Sequence, residues 1–229
     1  MRQLPLGVRI PDRAVFATFL AARNEQAIEH LQRVARGEVT GTTWLCGPEG
    51  VGKTHLLQAV CVAASATGLR AGYFPMQELA SLGTGALEGL PHLDCLSCDD
   101  LDRVAGRLEW ERALFGLFRE IEERGARLVV SAASPPALLS WTLPDLGSRF
   151  GASAVFQLRA LDDAEQLQAL QLHARARGFE LPDDAARWMQ RRFPRDMRSL
   201  HGVLDTLDEA ALAAQRRLTI PFIRDVLRE

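Results

Sequence analysis

The chain is almost without lysine: of its 27 basic residues, all but Lys53 are arginine. A drift toward arginine is tolerable on a surface, where either side chain carries the charge. A lysine that persists needs a compact ammonium on a flexible stem, which arginine's planar fork does not supply. No run of 18 apolar residues exists, which excludes a membrane-spanning helix by hydropathy. Met1 to Leu6 lack the apolar core of a secretory signal. The net charge of −2 gives no global pull toward nucleic acid or an anionic membrane. The four cysteines, Cys46, Cys61, Cys95 and Cys98, all lie in apolar runs. They read as buried, reduced thiols of a cytoplasmic protein. Cys95 and Cys98 sit on an expected strand, where residues three apart are roughly 10 Å apart and face opposite sides. That excludes a disulfide, and no second cysteine or histidine pair completes a zinc set.

What is present is a chain of 229 residues, 47% hydrophobic and 24% charged, enough for one large domain or a medium one with a small companion. Its lysine lies in Gly47-Pro48-Glu49-Gly50-Val51-Gly52-Lys53-Thr54, which reads G-x-x-x-x-G-K-T. The β-prone run Thr42 to Cys46 precedes it and the apolar helical run Leu56 to Ala64 follows. Strand, glycine-rich turn and helix form the context of a P-loop. Its glycines let backbone N–H groups converge on a phosphate, and the helix N-terminus adds partial positive charge. Lys53 is expected to reach the β- and γ-phosphates and Thr54 to hold Mg²⁺.

The rest of the first two-thirds alternates strand and helix. Strands are expected at 42–46, 71–75, 93–98, 127–132 and 153–158, and helices at 24–35, 53–67, 76–82 and 109–124. This is the βαβ pattern of a parallel sheet with helices on both faces. Residues 83–92 read as loop, and Ser140 to Phe150, punctuated by Pro144, as the connection into the fifth strand. From Leu161 the texture is helical only. Asp163-x-x-Gln166 resembles a capping box, Pro182 opens a second helix, 196–214 a third, and Pro221 sits in the first turn of a last. The expected division is an extended tail over 1–12, an α/β nucleotide-binding domain over 13–160 and a helical domain over 161–229.

Leu96-Ser97-Cys98-Asp99-Asp100 is the second nucleotide element, a strand delivering carboxylates at its C-terminal end. Asp99 is expected to hold Mg²⁺, and Asp100 to orient or activate the attacking water. Arg149 and Arg198 stand out by context as groups that could stabilise charge on a γ-phosphate.

Taken with Ser134-Pro135-Pro136, Leu143 to Arg149, Leu167 to Leu172, Arg177 to Pro182, Met197 to Leu200 and Leu218 to Phe222, these motifs resemble the AAA+ ATPases of the DnaA branch, and in particular its short regulatory members. The resemblance spans nearly the whole chain. It implies a P-loop AAA+ parallel sheet with flanking helices and a small all-helical lid, binding ADP or ATP with Mg²⁺. The nucleotide contacts would be Gly47 to Thr54 and His55, with Phe16 and Phe19 in the segment that packs on the adenine. Arg149 would be the finger that reaches a neighbouring subunit's nucleotide, and Arg198 the lid sensor within its own chain. Gln3, Leu4 and Leu6 resemble a sliding-clamp-binding peptide, in which the leucines enter an apolar groove and Gln3 makes a polar anchor.

Two departures bear on activity. Relatives carry an aspartate and a basic residue where this chain has Ala133 and Ser134, which removes the first-sensor carboxylate and points to weak self-hydrolysis. DnaA continues into a helix-turn-helix domain after the lid, whereas this sequence stops at Glu229. The expected function is therefore a regulator of replication initiation. It docks on the DNA-loaded sliding clamp, meets DNA through the clamp, and stimulates ATP hydrolysis by DnaA so that re-initiation is prevented. A homo-oligomer is compatible with this reading, and no membrane is involved. The alternative is an autonomous AAA+ ATPase or helicase loader. A DNA-binding role for the arginine-rich lid (Arg175, Arg177, Arg187, Arg191, Arg192, Arg195, Arg198) ranks third, against the slightly negative net charge.

Overall fold

The computed structural model describes residues 14–193, 197–214 and 219–227. The tail with Gln3, Leu4 and Leu6 lies outside the described residues, as does the side chain of Arg198. The described residues form two compact units: one holds 14–16, 24–49 and 53–158, the other 17–23, 50–52 and the described residues from 159 to 227.

The first unit is a five-stranded, wholly parallel sheet. In chain order it runs α1 (Glu25–Ala35), β1 (Gly41–Cys46), α2 (Lys53–Ala66), β2 (Ala71–Pro75), α3 (Met76–Leu79), β3 (Cys95–Asp99), α4 (Leu108–Arg124), β4 (Arg127–Ala132), α5 (Pro144–Gly151) and β5 (Ala154–Gln157). The strand order is β2-β3-β4-β1-β5. Parallel pairing needs a crossover between strands, and the helices supply it. β3 is buried at all five positions, as expected of a parallel strand covered on both faces, and its two polar residues, Ser97 and Asp99, are both hydrogen-bonded. Because β4 lies between β1 and β3, the C-terminal ends of these three strands, and the loops leaving them, are neighbours.

Two sequence expectations change here. Residues 83–92 contain 3₁₀ turns at Thr84–Leu87 and Leu90–His92, and Leu87 and Leu90 are buried in the sheet's core. Residues 144–151, expected as a connection, form helix α5. Pro144 is its first residue, where the missing N–H costs nothing and the fixed φ favours helix. Its inner face buries Leu146 and Phe150. Phe150 meets Trp44 at 5.2 Å, Trp141 at 5.4 Å and Phe118 at 5.6 Å between ring centres. Gly147 is required by this packing, since a Cβ there would lie 2.5 Å from Trp141 Cδ1.

The second unit is built from α6 (Asp163–Ala176), α7 (Asp183–Arg192), α8 (Met197–Ala214) and α9 (Ile220–Leu227). They bury Leu170, Ala174, Leu181, Met189, Leu200, Leu204, Leu207 and Ile223 together. The capping box of α6 is one residue earlier than the sequence suggested. Asp162 is the N-cap and accepts from Ala164 and Glu165 N–H, while the Glu165 side chain accepts from Asp162 N–H. Asp163 is the first helical residue. The chain enters at a ψ of 177° at Asp162, which leaves only that side chain able to fold over the first turn.

Asp162→Ala should therefore lower stability by about 1 kcal/mol. Asp163→Ala leaves both bonds of the cap in place and should cost less. Urea unfolding followed by circular dichroism compares the two.

Candidate nucleotide site

The turn between β1 and α2 is glycine-built for conformational reasons. Gly50 and Gly52 have φ of 78° and 98°, a region that glycine enters without strain. Gly52 is also sterically committed. A Cβ there would fall 2.6 Å from Phe19 Cε2, so the Phe19 ring lies directly against the turn. α2 begins at Lys53, and its first backbone N–H groups have no partner within the helix. The Lys53 ammonium is nine-tenths buried and donates to Gly47 O at 2.7 Å and Pro48 O at 3.0 Å. These bonds hold the cation over the turn. His55, one turn further, bonds Val15 O at 2.9 Å, and burial lowers its pKa. A neutral ring that donates through Nε2 meets that carbonyl, which ties the segment beside Phe16 to α2.

β3 delivers Asp99, which is only 4% exposed. Its Oδ2 accepts from Thr54 Oγ1 at 2.7 Å and from Tyr73 Oη at 2.6 Å, while Oδ1 accepts from Ser131 Oγ. Thr54 and Asp99, the two residues expected at Mg²⁺, are thus in direct contact. Mg²⁺ keeps most of its shell as water and phosphate oxygen and takes one or two protein oxygens. The hydroxyl–carboxylate pair fits that demand. Among the described residues, no group of three or more histidines, cysteines or acids is gathered in the manner of an all-protein metal cage.

Tyr73 and Ser131 were not singled out from sequence. The strand register explains both. Pro75 pairs with Asp99, so Tyr73, two residues back, shares its face. Cys98 pairs with Val130, so Ser131 is the neighbour of Asp99 one step on. Burial and the Asp99 charge push the Tyr73 hydroxyl far above its usual range, so it remains a donor. Ser131 Oγ also accepts the Asp100 N–H at 2.9 Å.

Asp100 turns the chain sharply, at φ 54° and ψ 50°. Aspartate and asparagine tolerate this region better than most residues. Its carboxyl pKa is raised, first by burial and then by the charges of Asp99 and Asp102. The expected first-sensor position, Ala133, offers no side chain, but its N–H bonds Asp102 Oδ2 at 3.4 Å. Asp102 Oδ1 is buried without a hydrogen-bond partner.

Arg149 is not in the connection before β5 but in the last turn of α5. Its guanidinium lies over Phe115 and Phe118 of α4, 5.2 and 5.6 Å from the ring centres, and donates to Glu122 Oε2 at 2.7 Å. The side chain remains 39% exposed. In the second unit, Arg177 is withdrawn from any DNA-facing role. Its side chain is 4% exposed, bonded to Asp205 and to the His173 carbonyl. The four cysteines are free and buried. Burial lifts Cys61 to about 11 and Cys95 and Cys98 to about 12, so these thiols stay protonated at neutral pH.

A parallel sheet with a glycine-rich turn after β1, Lys53 over it, and a strand-end carboxylate against Thr54 defines a P-loop domain of the AAA+ type, followed by a helical lid. Residues 10–157 match the bacterial DnaA ATPase domain, and the chain belongs to that family. Residues 163–227 match the lid domain of Hda, so the protein is Hda-like. Solved structures agree on the fold. Domain III of the Thermotoga maritima replication initiation protein DnaA is 22% identical, with 96% of this chain and 98% of that one covered at a TM-score of 0.79. DnaA from Aquifex aeolicus, bound to AMPPCP, is 18% identical, with 86% and 65% covered at 0.70. The Thermotoga maritima RuvB Holliday junction branch migration motor is 20% identical, with 91% and 67% covered at 0.64.

Tyr73→Phe removes one donor from a buried carboxylate and should lower stability by about 1.5–3 kcal/mol, measured by urea unfolding. Asp100→Asn tests the raised carboxyl. Asp100 holds its proton more tightly folded than unfolded, so its ionisation costs stability once the pH passes from 3.8 upward through the folded value. The variant should melt higher than wild type at pH 7, and the difference should vanish as the pH falls to about 3.8.

Proposed function

We propose that this protein is a regulator of DNA replication initiation that stimulates ATP hydrolysis by DnaA. The observation that carries this reading is the pairing of a DnaA ATPase domain with an Hda lid in one chain. The proposed arrangement is a clamp-binding tail over 1–12, a nucleotide domain over 13–160 and a lid over 161–229. The nucleotide domain binds ADP or ATP through Gly47 to Thr54, with Lys53 at the phosphates, Thr54 and Asp99 on Mg²⁺, and His55, Phe16 and Phe19 alongside. Bound Mg²⁺ supplies neutralisation of phosphate charge. Lys53 adds a positive point charge, Asp100 orients water, and Arg198 acts as the lid sensor. Gln3, Leu4 and Leu6 dock the protein on the DNA-loaded sliding clamp.

Hydrolysis occurs mainly in the partner. Ala133 offers no sensor side chain to the protein's own site, whereas Arg149 stands partly exposed on α5. A guanidinium supplied in trans stabilises charge spreading over the γ-phosphoryl oxygens and is worth ~10³–10⁵ in rate. The product is ADP-bound DnaA, which does not re-initiate.

A second reading, an autonomous ATPase or helicase loader, draws on one observation. The Asp102 carboxylate reaches the backbone of Ala133 and has an oxygen to spare, which places an acid beside the position that lost one.

The deciding measurement is ATP hydrolysis by DnaA with clamp and DNA present. Arg149→Ala should retain nucleotide binding but lose most of the stimulation, at least tenfold. Stimulation equal to wild type would sink the proposal, and brisk turnover by the protein alone would favour the second reading.

A further inference from the structure

Glu111 is fully buried on α4, yet it is a carboxylate. Charge so placed is costly unless its lone pairs are filled. They are filled entirely by backbone. Oε1 accepts from Gly106 N at 2.7 Å and Thr142 N at 3.1 Å, and Oε2 accepts from Leu143 N at 2.6 Å. Thr142 Oγ1 closes the same junction by donating to Gly106 O at 3.1 Å. Leu143 is the N-cap of α5 and has no capping side chain of its own. The carboxylate therefore binds the N–H groups at the entry of α5, where anionic charge is also favoured by the helix dipole.

The same face of α4 meets the other end of α5. Glu111, Phe115, Phe118 and Glu122 follow at spacings of four, three and four, which is one stripe of a helix. Glu111 holds the backbone entering α5; Phe115 and Phe118 underlie the Arg149 guanidinium; Glu122 accepts its hydrogen bond. Of the two carboxylates on this stripe, only Glu111 is buried and multiply bonded. The Glu122 pair is exposed and worth little by itself. Leu146 and Phe150 hold α5 in the core, and the Glu111 bonds fix the polar backbone where it enters, so the direction from which Arg149 is offered depends on that entry.

We propose that Glu111 is a positioning residue for Arg149: its carboxylate fixes the entry of α5 on α4 and so sets where the guanidinium stands when a second AAA+ subunit approaches. This rests on the assignment of Arg149 as a finger acting in trans. A finger works only when its donors meet the developing charge, and a misplacement of about 1 Å can cost on the order of 10²-fold.

The test uses full-length protein with clamp, DNA and ATP-bound DnaA. Glu111→Gln keeps size but turns one acceptor into a donor facing backbone N–H groups. The expected result is a maximal stimulated rate about tenfold lower, a half-saturating DnaA concentration within twofold of wild type, and unchanged nucleotide binding by the variant itself. Amides of residues 142–151 should exchange with deuterium at least tenfold faster, while those of α2 keep their rates. In an Arg149→Ala background Glu111→Gln should cost less than a further twofold. Thr142→Val, at an exposed residue of the same junction, should lower the maximal rate two- to threefold and covers the case in which the buried variant does not fold. Wild-type stimulation by Glu111→Gln or Thr142→Val with faster exchange confined to 142–151 overturns the proposal. So does faster exchange throughout the first unit with a loss that multiplies with that of Arg149→Ala. If Arg149→Ala alone stimulates normally, the finger assignment fails instead, and the exchange rates still report whether Glu111 holds α5.

Discussion

The Asp99 carboxylate is the interaction on which the sheet's functional edge depends. It is buried at the end of β3 and receives hydrogen bonds from α2 through Thr54, from β2 through Tyr73 and from β4 through Ser131. A buried carboxylate has to be satisfied, because an unpaired one costs several kcal/mol. Satisfying this one draws four elements to a common point. The hydroxyl that answers it from α2 is the residue after Lys53, so the same contact sets the start of α2 and the turn above it. On the proposed reading, the pair that satisfies this structural need would also serve as the metal site.

That economy has a consequence at the neighbouring strand end. Ser131 binds Asp99 with its hydrogen and the Asp100 N–H with its lone pair, which fixes Asp100 in a left-handed turn. Two residues on, Ala133 contributes only backbone. The residues proposed to hold a nucleotide and a metal are thus tightly bonded, while Ala133, the proposed sensor position, has no polar side chain. On the proposed reading, such a site retains a nucleotide more readily than it turns it over, and the partly exposed arginine on α5 serves a partner's site.

Much of this was legible in the sequence because local chemistry and fold agreed. The P-loop, the strand ending in Asp99 and the change to helices after residue 160 each carry a signal within ten residues. What was missed depends on register or on burial. Tyr73 and Ser131 look unremarkable along the chain and acquire meaning only when Pro75 is set against Asp99 and Val130 against Cys98. Helix α5 was hidden by its proline, glycine and serine content, although Pro144 at its first position is a start signal rather than a break. The capping box slipped by one residue because Asp162-Asp163 and Glu165-Gln166 offer two equivalent frames, and only the backbone angles at Asp162 choose between them. Arg177 shows the limit of counting charge: by sequence it groups with other lid arginines as a possible DNA-binding set, yet its side chain is buried on Asp205.

The solitary lysine can now be given a physical reason. Lys53 Nζ bonds two carbonyls five and six residues back in its own turn, at 3.0 and 2.7 Å, from a nearly buried position. An ammonium can rotate its three donors onto such a pair and can turn the third toward an anion without moving the stem. A guanidinium has its donors fixed in a plane and a larger head, so it does not fit the same pair of carbonyls in the same space. The composition has replaced lysine with arginine everywhere that charge alone was at stake. It has not done so at the one place where the shape of the cation decides whether the turn can close.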